Sequence, residues 1–124
     1  LKLIFIYNAN SGKRNAYLDS LHKVISPKTY PCSLCDITYG VFKIRPEWKA
    51  FRESSNLDMQ FYHIDEFNDA YPDSKDIFQY PIVLKEEATG LAEFISKKEL
   101  DALKDDRELI DLIQDKVNQS QAAH

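Results

Sequence analysis

Apolar positions along this chain fall into short blocks, and the spacing within each block assigns it to a strand or a helix. Residues 2–8 run through Leu3, Ile4, Phe5, Ile6 and Tyr7, a β-branched and aromatic stretch that reads as a buried first strand. Asn8-Ala9-Asn10-Ser11-Gly12 is a turn cluster. Beyond it Tyr17, Leu18, Leu21, Val24 and Ile25 recur at helical spacing and predict a helix near 14–26. Ser26-Pro27 stops that helix, because the residue before a proline is pushed out of helical geometry. From 27 to 45 the pattern is short and irregular, with a turn or two of helix predicted over 32–39 and Gly40 closing it. Pro46 starts another helix that carries Trp48 and Phe51 inward as far as Ser54. Residues 57–64 read as a second strand and 72–79 as a short helix.

The last third is the most legible. Pro81-Ile82-Val83-Leu84-Lys85 is a strand, Glu86 to Gly90 a turn, and Leu91 to Ile95 a second strand, a spacing that predicts an antiparallel hairpin. Ser96 and Glu99 form a capping box that launches a helix through Leu100 and Leu103. Asp105-Asp106 interrupts it, and Leu109, Ile110, Ile113 and Val117 continue the apolar face. The tail from Asn118 is expected to fray. With no repeat and no linker, the chain reads as a single domain over 1–118, with a 119–124 tail.

Charge narrows the function classes. A net charge of −4 argues against a nucleic-acid partner, whose binding surface would be basic. No apolar run approaches the roughly 20 residues that cross a bilayer, so no membrane partner is expected. The apolar start, Leu1 to Tyr7, is too short for a secretion signal and lacks its basic head. Without a disulfide-rich framework, a cytoplasmic location is the expectation.

Candidate chemistry concentrates at Pro31-Cys32-Ser33-Leu34-Cys35, which holds the chain's two cysteines. Sulfurs three residues apart close a small disulfide ring or hold two corners of a metal site. Pro31 suits the first turn of a helix, where backbone N–H groups favour a thiolate. The competing reading is structural, since free cysteine is among the most buried residue types and this spacing puts both on one helix face.

The order strand, helix, strand, short helix, strand, strand, helix resembles the thioredoxin fold. The likeness is clearest from Tyr80-Pro81-Ile82-Val83-Leu84-Lys85 through Gly90 and Leu91-Ala92-Glu93-Phe94-Ile95 to Ser96-Lys97-Lys98-Glu99-Leu100. Phe61-Tyr62-His63-Ile64-Asp65 resembles the upstream strand that ends in Val-Asp in that superfamily. The resemblance implies an α/β domain with a mixed central sheet flanked by helices. It also implies that Pro81 is the cis proline beside the active site, which fits the rule that X-Pro bonds alone are readily cis. The chain departs from the pattern where thioredoxins carry W-C-G-P-C. Here the stretch reads Tyr7-Asn8-Ala9-Asn10-Ser11-Gly12-Lys13-Arg14-Asn15, without cysteine, so activity through that loop is excluded and the pair sits in an insertion over 27–45. The whole chain is also similar to a group of small bacterial proteins of unknown role. They share Tyr7-Asn8-Ala9-Asn10-Ser11-Gly12 and the pattern Thr29-Tyr30, Cys32, Leu34-Cys35, Thr38-Tyr39-Gly40, and some carry a GTPase label.

That label finds no motif. Asn10-Ser11-Gly12-Lys13 lacks the first glycine and the final hydroxyl of a P-loop, and a strand-to-helix turn capped by Ser11 explains it. The expected function is thiol–disulfide redox, possible oxidoreductase chemistry with a protein thiol or disulfide as partner and no required cofactor. Cys32 is the attacking thiolate, Cys35 resolves the mixed disulfide, and Pro81 helps a substrate chain dock if the insertion reaches it. Two rivals stand beside it. One is binding of zinc or another soft metal by Cys32, Cys35 and His22 with a carboxylate or water; the other is a redox-inert interaction module. His22 and His63 each have a plainer reading, as a helix-surface residue and a hydrogen-bonded strand residue. Tyr30, Tyr39, Phe42, Trp48 and Phe51 are expected to anchor the cysteine segment to the core.

Overall fold

The computed structural model describes residues 1–8, 32–39 and 44–122. The predicted helix at 14–26, the Ser11 turn, Lys13, His22, Pro31, Gly40 and His124 lie outside the described residues. Four strands form one mixed sheet in the order β2-β1-β3-β4, with β1 at Lys2–Ile6, β2 at Asp58–Tyr62, β3 at Ile82–Glu87 and β4 at Gly90–Ile95. β1 runs parallel to β2 and antiparallel to β3, and β3 and β4 form the predicted hairpin. Gly90 closes its turn at φ +132°, a conformation that side-chain-bearing residues rarely adopt.

Strand alternation sorts the core into two layers. Leu3, Phe5, Tyr7 and Val83 point to one face, where they meet α1 (Ser33–Thr38), α2 (Pro46–Ser54), α4 (Lys97–Asp101) and α5 (Asp106–Ala122) through Leu34, Ile37, Trp48, Leu100, Leu109 and Ile113. Ile4, Ile6, Ile82 and Leu84 point to the other face and pack on Phe67 of α3 (Ile64–Ala70). The α/β class and the helix-flanked mixed sheet predicted from the sequence are thus present.

Helix α2 begins at Pro46 as its proline signals, and the capping box at α4 is formed in both directions. Ser96 Oγ accepts the Glu99 N–H, and Glu99 Oε1 accepts the Ser96 N–H, both at 3.1 Å. Ser96→Ala removes half of that exchange and is expected to cost about 1 kcal/mol in urea unfolding.

Two expectations shift. The helix placed at 72–79 is instead α3 at Ile64–Ala70, followed by a single 3₁₀ turn at Pro72–Ser74. Its N-cap is His63, and Glu66 Oε1 accepts the His63 N–H at 2.8 Å, so a capping box is present under an unusual capping residue. Helix α5 continues past Asn118, where fraying is predicted, to Ala122.

Candidate functional site

Cys32 is the N-cap of α1, with extended backbone (φ −137°, ψ 95°), and its Sγ accepts the Cys35 N–H at 3.3 Å. The sequence predicts a helix opened by Pro31; the cap itself is the sulfur. A second N–H, from Asn8, reaches the same Sγ at 3.4 Å. Cys32 and Cys35 are joined as a disulfide with Cα atoms 5.3 Å apart, inside the usual range for such a bond. Both are sealed from solvent, at 1% and 2% exposure. Both residues are thus buried, Cys32 at the cap and Cys35 within the helix, with their side chains bonded to each other.

The Asn8 contact fixes where the pair lies. Asn8 follows β1 directly, two residues beyond Ile6, and Ile6 is paired with Ile82 of β3. Pro81 immediately precedes Ile82, is buried, and its peptide bond to Tyr80 is cis. Cys32 and Pro81 therefore share one end of the sheet, a placement that the sequence leaves open. Cys32, 24 positions beyond Asn8 in sequence, puts its sulfur against the Asn8 N–H.

The same end carries a histidine. The Tyr7 N–H donates to the Tyr62 carbonyl at 2.9 Å, which extends the β1–β2 ladder one step and sets Tyr7 opposite His63. Their rings lie 5.6 Å apart, and Tyr7 also meets Tyr39, the C-cap of α1, at 6.5 Å. His63 Nδ1 sits 2.6 Å from Glu66 Oε1. The His63 backbone N–H, and then its ring, hold the Glu66 carboxyl below the usual carboxylate range. The plain reading of His63 as a hydrogen-bonded residue holds, at the strand's end rather than within it. Alternation was the signal for its placement, since Met59, Phe61 and His63 share the face of Phe5 and Tyr7.

Sequence reasoning did not single out the group that anchors α1. Ser33 Oγ donates to Asp101 Oδ1 at 2.7 Å, and Lys97 Nζ donates to Asp101 Oδ2 at 2.7 Å. Burial pushes the Asp101 carboxyl up, but the bonds from Lys97 and Ser33 outweigh it and set it below its ordinary value. A carboxyl held low in the folded state stabilises fully above its unfolded value, about 4, and loses that contribution as pH falls through the folded one. Asp101→Asn should flatten the acid limb of the thermal-unfolding profile below about pH 4, by tenths of a kcal/mol because the bonds are exposed. An unchanged acid limb would remove Asp101 from the anchor.

A metal centre needs more ligands than the two sulfurs, which here are bonded to each other. Among the described residues no three His, Cys, Asp or Glu side chains gather around a common point, and His22 lies outside them. No helix among the described residues is long and apolar enough to cross a membrane. Of the aromatic anchors, Trp48 is fully buried and Tyr39 and Phe51 pack against the same core, while Tyr30 and Phe42 lie outside the described residues. Against known proteins the chain matches no family profile, no curated sequence and no solved structure, so the site is read from its own chemistry.

Proposed function

We propose that the protein is a thioredoxin-like thiol–disulfide redox protein whose Cys32–Cys35 pair cycles between disulfide and dithiol. The observation that carries this reading is the position of the pair: it caps a helix at the end of the sheet that Pro81 also occupies, with two backbone N–H groups on Cys32 Sγ. The strand order 2-1-3-4, with β1 parallel to β2 and a β3–β4 hairpin opened by a cis proline, supports the thioredoxin-like assignment.

In the reduced protein, Cys32 thiolate attacks one sulfur of a partner disulfide. A bond forms from Cys32 to that sulfur, and the second partner sulfur leaves as thiolate and takes a proton from solvent. Cys35, deprotonated, then attacks the Cys32 sulfur and expels the first partner sulfur as thiolate. Two electrons pass to the partner, which ends as a dithiol, and the Cys32–Cys35 bond closes. Because both sulfurs are sealed in the closed state, exchange begins with α1 lifting from α4 and α5, the helices it packs on.

The test is thiol trapping under native conditions. Folded protein is equilibrated across glutathione redox buffers, alkylated, and weighed intact. The expected result is a two-electron transition, with both thiols trapped together as the buffer becomes reducing. A pair that stays closed in the folded protein and opens only in denaturant would make it a fixed crosslink and overturn the proposal. Reduced protein that retains zinc through native mass analysis, and loses it to chelator, would make the thiolates ligands instead.

A further inference from the structure

Away from the disulfide, a cleft of about 500 Å³ opens between α2 and the outer strand β2. That volume is in the range of small-molecule sites, which combine apolar walls with a few converging polar groups. Ile44, Met59 and Phe61 supply the apolar surface, and Tyr39 closes one side. Among the described residues three charged groups line it, all from α2: Lys49, Arg52 and Glu53.

These charges are not equivalent. Lys49 Nζ and Glu53 Oε1 stand 4.0 Å apart, one helical turn along α2, and cancel each other. Arg52 lies with its guanidinium 4.0 Å from the centre of the Phe61 ring. Stacking uses the face of a guanidinium and leaves its edge, with five N–H donors, for a carboxylate or similar planar acceptor. Among the described residues no carboxylate or carbonyl takes those donors. Half-buried over an aromatic ring, Arg52 leaves the described lining with one positive charge to spare.

We propose that this cleft binds a flat, apolar organic anion, an aromatic carboxylate, with its ring on the Ile44 and Met59 surface beside the Phe61 edge and its carboxylate on the edge of Arg52. The apolar walls exclude a small hydrated ion, which has no apolar body to bury. The site is built from residues other than the redox pair, so it stands or falls separately from the proposed function.

The test is an amide-resolved NMR titration of the full-length protein with naphthalene carboxylate and with the neutral naphthyl carbinol of the same shape. Naphthalene carboxylate should bind saturably and shift the amides of Tyr39, Ile44, Arg52, Met59 and Phe61. The carbinol should bind at least about tenfold more weakly, since it lacks the charge-assisted pair. Arg52→Gln should bring the two ligands to the same affinity, with the rest of the spectrum unchanged as a check on folding. Arg52→Lys should recover only part of the difference, because lysine keeps the charge and loses the planar edge. Equal binding of the two ligands, an unaltered affinity in Arg52→Gln, or shifts centred elsewhere would each overturn the proposal.

Discussion

Reduced Cys35→Ser protein should react with an aromatic disulfide reagent through Cys32 at least about tenfold faster, at neutral pH, than reduced Cys32→Ser protein reacts through Cys35. The asymmetry follows from the donors. Cys32 Sγ accepts N–H groups from Asn8 and Cys35, whereas no N–H donor reaches Cys35 Sγ among the described residues. Hydrogen bonds to the charged form of a group favour that form, so the reduced Cys32 is expected to be the better nucleophile. Both residues are equally buried, one at the cap of α1 and one within its first turn, so one opening is expected to expose either and to cancel from the ratio. What remains is the difference in thiolate fraction and nucleophilicity. Equal rates, or a faster Cys35, would sink the assignment of Cys32 as nucleophile.

The pair of variants also separates chemistry from stability. The disulfide closes a ring across a sequence separation of three. For so short a loop, the chain-entropy account gives about 2 kcal/mol, enough to measure and too little to unfold an ordinary domain. Loss of exchange in Cys32→Ser with a folded, slightly less stable protein is therefore a chemical result. Collapse of the fold would point to a crosslink that the core depends on.

The elements legible in the sequence were those whose signal is local. Ser96 and Glu99 announce α4 three residues apart, Pro46 announces α2, and the turn to Gly90 between two apolar runs announces the hairpin. Helix α3 escaped because Ile64 continues the apolar run of β2, and its cap is a histidine rather than serine, threonine or aspartate. Pro72 looked like a helix start and instead opens one 3₁₀ turn. The placement of the cysteine pair was illegible for a different reason. Local pattern says nothing about which strands neighbour one another, and β1 in the centre of the order β2-β1-β3-β4 is what brings Asn8, Cys32 and Pro81 to one end. Spacing flagged Cys32 and Cys35; sheet topology supplied their surroundings. Arg52 went unremarked because a single arginine on a helix carries no pattern until Phe61 lies beneath it.

Trp48→Ala should destabilise the protein by about 3–5 kcal/mol in urea unfolding, the largest stability loss among these substitutions. Trp48 is the one fully buried residue of α2, which otherwise lies on the surface, so it fastens that helix to the sheet. Its indole meets Phe5 edge-on at 5.7 Å, Phe61 edge-on at 6.5 Å and Phe51 at 5.8 Å. Truncation removes the contacts that join β1, β2 and α2 in one stroke and leaves a cavity that the flanking rings cannot fill. Against a typical stability of about 5–15 kcal/mol, that loss approaches unfolding. Trp48→Phe gives the contrast. The indole Nε1 is buried with no hydrogen-bond partner among the described residues, a burden of about 1–3 kcal/mol that phenylalanine does not carry. The smaller ring still loses volume, so the two effects oppose, and the net cost should stay below about 1.5 kcal/mol. A Trp48→Phe protein as unstable as Trp48→Ala would show that Nε1 is bonded in solution and that the indole holds α2 by its polar edge as well as its faces.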